Sequence, residues 1–280
     1  PSVIMILYAL ISGESVGALF AGGVFPGLML LILVSCYIAV RCWFQPHLGP
    51  ALPKDERGDW PRKLAAMKAV ILPVIIVVMV LGSIIGGITT PTEAAAIGVL
   101  GSIISAAVYR QFNWRLMREA ALRTLRLTGM IMWILFGAYC FSAAYHGMGA
   151  HQLIENLMRH IPGGAWGSII FIQIVIFLLA MVLDPAGIMM ICVPVFLPIV
   201  KAHGFDPLWF GILFVINMEI GYMTPPFGFN LFYLKGIVPP GITMGDIYRS
   251  VIPYTIVEST GLALVMIFPQ IAVWLPNKLF

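Results

Sequence analysis

"SIIGGITTPTEAAAIGV" (residues 83–99) starts a helix in the middle of an apolar stretch, 69–109, whose single charged side chain is Glu93. Thr90 fits an N-cap, Pro91 fits the first helical position, and Glu93 falls where a capping box places its acid. Gly86-Gly87 divides the stretch into two apolar runs. Those runs either cross a bilayer twice or form one broken, tilted crossing.

The surrounding composition requires the bilayer. Of 280 residues, 60% are hydrophobic and 10% are charged, and the mean hydropathy is +0.98. Soluble domains carry about 25% charged residues. The net charge of +4 calls for no nucleic acid, because eleven of the sixteen Lys and Arg residues fall in two segments, 41–68 and 110–126. Such clusters mark loops held at a negative membrane face. Cys36, Cys42, Cys140 and Cys192 form no CxxC pair and read as free thiols in helix packing. His146, His151 and His160 are too irregularly spaced for a metal site, and no transition metal is expected. There is no HExxH, P-loop or haem signature, and no cluster points to an enzyme.

The expected order along the chain is as follows. Residues 1–13 form the second arm of a re-entrant hairpin, too short to span at about 20 residues per crossing. Residues 14–68 hold a membrane span (17–40) and a basic interfacial loop, in which "DWPRKLAAMKAV" reads as a short surface helix. Residues 69–145 hold the interrupted helix, a basic surface helix (110–126) and a further span (127–145). Residues 146–240 hold spans and a second re-entrant hairpin, and 241–280 the last span. The chain starts at Pro1 with no charged leader and reads as part of a longer protein.

Thr90-Pro91, Asp184-Pro185 and Thr224-Pro225 are three helix-start signals inside apolar sequence. Interrupted helices are costly in lipid and survive where they are buried in protein or line a polar cavity. The end of a half-helix offers free N–H groups to an anion, and unwound carbonyls suit a small cation. Several breaks in one chain therefore point to an anion carrier coupled to a cation. "EIGYMTPPFGFNLFYLKGI" (219–237) reads as a hairpin with a Thr-Pro-Pro tip. "PSVIMILYALISG" (1–13) aligns with the arm from Pro226, matching Pro1 to Pro226 and Tyr8 to Tyr233. This is the pattern of carriers built from inverted repeats.

Three long motifs carry a family resemblance: "GGITTPTEAAAIGV", "PSVIMILYALISGESVGALFAGGVFPG" and the run from "LDPAGIMMICVPVFLP" to "EIGYMTPPFGFNLFYLKGI". Together they resemble the large membrane subunit of TRAP (tripartite ATP-independent periplasmic) transporters, in its C-terminal part. The resemblance implies an all-α polytopic membrane protein, an elevator-type carrier with inverted repeats, broken helices and re-entrant hairpins. It implies sodium-coupled uptake of an organic acid anion, such as a C4-dicarboxylate or a sialic acid, across the bacterial inner membrane. A periplasmic substrate-binding protein would deliver the substrate, and a small membrane subunit would extend the scaffold. The coupling ion would be Na+, with no other cofactor.

Carried onto this chain, Ser2, Gly86, Gly87, Thr89, Thr90, Thr92, Thr224 and Gly228 are the expected cation ligands. Pro1, Ser2, Thr224, Pro225, Pro226 and Asn230 are the expected substrate contacts, and the 86–93 break would face the first hairpin tip. Glu93 and Asp184 are expected as structural caps, with cation or substrate contact as their alternative. Glu219 is a functional candidate as an acid at membrane depth; Glu14 and Glu258 carry no assignment. The competing readings are a binding-protein-independent dicarboxylate or citrate carrier, a membrane-embedded enzyme using Asp184 and Glu219, and a purely structural subunit.

Overall fold

Caps and prolines decide where the helices of this chain begin, and glycines decide how closely they pack. The computed structural model describes residues 2–50, 53, 57–226, 228–239 and 241–280, apart from the side chains of Arg62, Ala65, Ala66, Ala69, His151, Glu155, Arg159 and Phe229. Every regular element among them is helical. In chain order they are α1 (Val3–Ser12), α2 (Val16–Gly22), α3 (Val24–Phe44), a 3-10 turn at Pro46–Leu48, α4 (Trp60–Ile85), α5 (Pro91–Val108), α6 (Trp114–Gly147), α7 (Ala150–Arg159), α8 (Gly164–Ala180), α9 (Pro185–Ala202), α10 (Pro207–Tyr222), α11 (Phe229–Ile237), α12 (Met244–Ile267), α13 (Gln270–Val273) and α14 (Pro276–Leu279). Five segments are long and apolar enough to cross a membrane: Val16–Phe44, Pro91–Val108, Trp114–Gly147, Pro185–Ala202 and Met244–Ile267. The protein is an all-α polytopic membrane protein.

Apart from its last two residues the chain divides into two units, one of Pro1–Ser35 with Gly129–Lys278, the other of Cys36–Thr128. The first unit is organised around α10. Apart from Asn217 and the exposed Glu219 that helix is apolar, as a largely enclosed helix must be, and nearly all its residues are buried. It runs parallel to α8, and three pairs fix the register. Trp166 meets Trp209 edge-on at 6.2 Å, Asn217 binds Gln173, and Gly221 lies against Ala180. A Cβ on Gly221 would sit 2.3 Å from the Ala180 Cβ, and one on Gly211 would sit 2.5 Å from the Tyr8 ring. In lipid the drive for helix association is close packing, so small residues belong at these crossings. From the turn 181–184, α9 returns antiparallel to α8, which brings Trp166 within 5.3 Å of Phe205, just past the end of α9.

The second unit is simpler. α4 and α5 pack against each other in opposite directions: Gly98 faces Val80, and Gly101, three residues later, faces Ile76, four residues earlier. The 18 residues of α5 reach about 27 Å, close to the ~30 Å of a hydrocarbon core. The 69–109 stretch therefore folds back on itself as an antiparallel helical pair.

Four expectations on element boundaries change. The surface helix at 59–70 is the first part of α4, and the surface helix at 110–126 is the first part of α6, continuous with the span after it. Neither Pro73 nor Gly129, just past these junctions, ends its helix, and cationic side chains near a helix end extend to the interface without breaking it. The span expected at 17–40 bends at Gly23 between α2 and α3, and the last span ends at Ile267, two residues before Pro269.

Candidate functional site

In the second unit the turn after α4 is closed by hydroxyls. The amides of Ile88 and Thr89 both donate to the Ser83 carbonyl. The Thr89 hydroxyl donates to Ser83 Oγ at 2.9 Å, which donates to the Val80 carbonyl. Gly87 takes a φ of +66°, a left-handed conformation open to glycine at little cost. Thr90 then caps α5 with a complete capping box. Its Oγ1 accepts from the Glu93 amide at 3.3 Å, while its own amide and hydroxyl donate to Glu93 Oε2 at 2.8 and 2.9 Å. No described hydrogen bond ends on the carbonyls of Gly86, Gly87, Ile88 or Thr89. Thr90, Thr92 and Glu93 are exposed. This turn joins two antiparallel helices that pack on each other.

The first unit holds a second gathering. Asp184 caps α9, its Oδ2 accepting from the Gly187 amide at 3.0 Å, with Pro185 at the first helical position. No described hydrogen bond ends on the carbonyls of Met181, Val182 or Leu183. Because α8 and α10 are parallel, this turn lies at the same end of the unit as the tip that follows α10. The carboxyl groups of Asp184 and Glu219 are within electrostatic reach of the Tyr222 hydroxyl, and Glu219 is within reach of Glu258 on α12.

The tip itself differs from expectation. Thr224-Pro225 does not start a helix. The Thr224 hydroxyl turns back to the Ile220 carbonyl at 2.7 Å and completes α10 instead. A residue that precedes proline is pushed out of the helical region, so Pro225, followed by Pro226, cannot be a first helical residue. The next helix begins at Phe229, with Gly228 at its N-cap in the left-handed region (φ +50°) and no side-chain cap. The amides of Phe229 and Asn230 carry no described hydrogen bond. Asn230 is exposed. α11 lies on α12 through Leu231, Ile247 and Val251, and the Tyr248 hydroxyl donates to the Pro226 carbonyl at 3.1 Å.

Of the remaining expected site residues, Pro1 lies outside the described residues. The Ser2 hydroxyl caps α1 by accepting from the Ile4 amide at 3.2 Å; no described hydrogen bond joins it to the Asp184 turn or the 223–228 tip. Thr224, Pro225, Pro226, Gly228 and Asn230 come together with Asp184 at one end of the first unit. Sequence reasoning passed over Tyr248, whose hydroxyl ties the tip, and the buried Gln173–Asn217 pair, in which Asn217 Nδ2 donates to the Gln173 carbonyl at 2.6 Å and to Oε1 at 2.7 Å. It also passed over Asp206-Pro207, a helix start of the same kind as Asp184-Pro185. Asp206 Oδ1 accepts from the Leu208 amide at 2.7 Å, and this signal was available in the residues.

The comparisons with known proteins agree with this architecture. Residues 1–271 match the family model described as the DctM component of the tripartite ATP-independent periplasmic transporter. The C4-dicarboxylate TRAP transporter large permease protein of Pseudomonas aeruginosa is 32% identical over 282 residues, covering 100% of this chain and 64% of the relative. The ectoine TRAP large permease of Halomonas elongata is 30% identical, covering 100% of this chain and 64% of the relative. The sialic acid TRAP large permease of Vibrio cholerae is 27% identical, covering 99% and 64%. The chain thus spans somewhat under two-thirds of the length of these relatives. The family is one of transporters and not of enzymes, which removes the acid-pair enzyme reading of Asp184 and Glu219. A multi-pass protein of the bacterial inner membrane, the chain belongs to the DctM family of TRAP transporter large permease subunits.

Proposed function

We propose that this chain is the carrier part of a TRAP system that takes up an organic acid anion, of the C4-dicarboxylate or sialic acid kind, together with Na+. A periplasmic binding protein supplies the substrate, a small membrane subunit completes the scaffold, and the first unit moves as an elevator. The observation that carries the reading is the gathering at one end of that unit. An uncapped helix start, with the Phe229 and Asn230 amides and the Asn230 side chain, suits a carboxylate. The open carbonyls of Met181–Leu183 and the Asp184 carboxylate suit a hard cation held by oxygen. The Gly86–Thr89 carbonyls with Thr92 offer a second, neutral set of cation ligands. The cation offsets the charge of the substrate beside it.

The test is uptake into proteoliposomes holding the native-length subunit and its small partner, with the binding protein outside. Succinate and N-acetylneuraminate are compared under matched Na+ and K+ gradients. Uptake of one acid that needs both Na+ and the binding protein is the expected result. Uptake at full rate in K+ would end the sodium claim. Uptake without the binding protein would replace the reading with the binding-protein-independent carrier. Melting temperature in Na+ against K+ and choline supplies an independent readout: a ligand at a hundredfold excess over its Kd stabilises by about 2.7 kcal/mol.

A further inference from the structure

The first unit contains a groove that the transport reading does not use. It lies between the end of α1, the second half of α6 and one side of α9, with a volume of about 440 Å³. Its lining changes steadily along its length. Leu135 on α6 and Met190 on α9 are at one end; Ser142 and His146 on α6, and Lys201 on α9, are at the other. The two helices run in the same direction here. α7 is amphipathic and, at 10 residues, too short to cross a bilayer that needs about 20, so α6 ends at the face where α8 starts. Trp166, near the start of α8, touches Phe205 just beyond the end of α9. The last residues of α6 and α9 therefore reach the same membrane face, and the polar end of the groove is its outer end.

The dimensions match one class of molecule. Eleven residues separate Leu135 from His146, and eleven separate Met190 from Lys201, about 16 Å at 1.5 Å per residue. One leaflet of a bilayer is about 15 Å of hydrocarbon. The rim is cationic. Lys201 is exposed there, and the end of α9 around it is closed by its own following amides, His203 to Ile199 and Gly204 to Lys201. His146 Nδ1 lies 2.8 Å from the Ser142 carbonyl, and Lys201 is the lysine of the rim.

We infer that this groove is a phospholipid site, with one acyl chain lying along Val193 and Leu197 and the phosphate on Lys201. Native mass spectrometry of the native-length complex after stepwise delipidation tests it. The wild-type protein is expected to keep one phosphate-bearing lipid after the others are stripped. Lys201→Gln loses it at least tenfold more readily, and Lys201→Arg keeps it. Ala138→Phe, which fills the apolar half, also loses it. Lys278→Gln, at a lysine outside the groove, behaves as wild type. Adding dioleoyl phosphatidylglycerol to stripped protein raises the melting temperature, whereas dioleoylglycerol and inorganic phosphate do not. Equal retention in Lys201→Gln and wild type, or an equal shift with dioleoylglycerol, overturns the phosphate contact. A melting shift with inorganic phosphate alone makes the rim a simple anion site. Retention unaltered by Ala138→Phe, or a peptide segment of the native-length chain found in the groove by cross-linking from Ala138→Cys, removes the lipid.

Discussion

Two of the turns that join an oxygen cap to a proline, at Thr90-Pro91 and Asp184-Pro185, share a sequence logic and differ in their surroundings. At Thr90-Pro91 the cap is neutral, its amide and hydroxyl are both bound by Glu93, and the helices it joins pack on each other as a hairpin. At Asp184-Pro185 the capping oxygen is itself charged, the first turn of α9 is buried at Ala186, Ile188 and Met189, and the 223–228 tip lies at the same end of the unit. Both turns reverse the chain, so a capped helix start in apolar sequence is by itself the mark of a reversal. What separates the two is whether a second irregular segment is brought beside it.

The largest expected effect tests what brings those segments together. Gly221→Val places a branched side chain where a Cβ already meets Ala180 at 2.3 Å. Overpacking of this kind costs about 3 kcal/mol. Gly98→Val in the hairpin meets Val80 at 3.3 Å and should cost about 1 kcal/mol. Chemical denaturation in mixed micelles measures both, and equal losses would mean that the register of α8 on α10 is no tighter than that of the hairpin.

Next in size is the charge at Asp184. Asn caps a helix as well as Asp does, so Asp184→Asn should leave stability within about 0.5 kcal/mol. It should remove most of the sodium-specific rise in melting temperature and lower uptake at least tenfold, equivalent to about 1.4 kcal/mol. Thr92→Ala should remove a smaller part of that rise. If Thr92→Ala removes all of it and Asp184→Asn none, the hairpin turn is the cation site and the comparison is reversed.

Much of this was legible in the residues because caps are local. Thr90, Glu93, Asp184 and Pro185 act within four positions of one another, and the structure shows each in its capping geometry. Thr224 was misread because the effect of Pro226 on Pro225 outweighs the capping signal before it. The junctions at 68 and 126 were misplaced because hydropathy reports where the solvent changes. A helix ends only where its hydrogen bonds or φ angles do. The pairing of the Asp184 turn with the 223–228 tip, the Gln173–Asn217 bond and the hold of Tyr248 on Pro226 join residues from 22 to 44 positions apart, and no local pattern records them.

The smallest effect sharpens the comparison most, because it separates a cap from a ligand at one residue. The capping box accepts Gln at the Glu93 position, and the bonds from Thr90 need only an oxygen there. Glu93→Gln should therefore keep the turn, with only a small loss of favourable charge at the start of α5. Thr90→Val removes the acceptor for the Glu93 amide and should cost about 1 kcal/mol. If Glu93 is only a cap, the sodium-specific melting shift is the same in Glu93→Gln as in wild type, and the two variants rank by stability alone. If the shift falls in Glu93→Gln while the fold is kept, the carboxylate holds the ion. The hairpin turn would then carry the charged ligand that is proposed for the Asp184 turn, and surroundings alone would no longer tell the two apart.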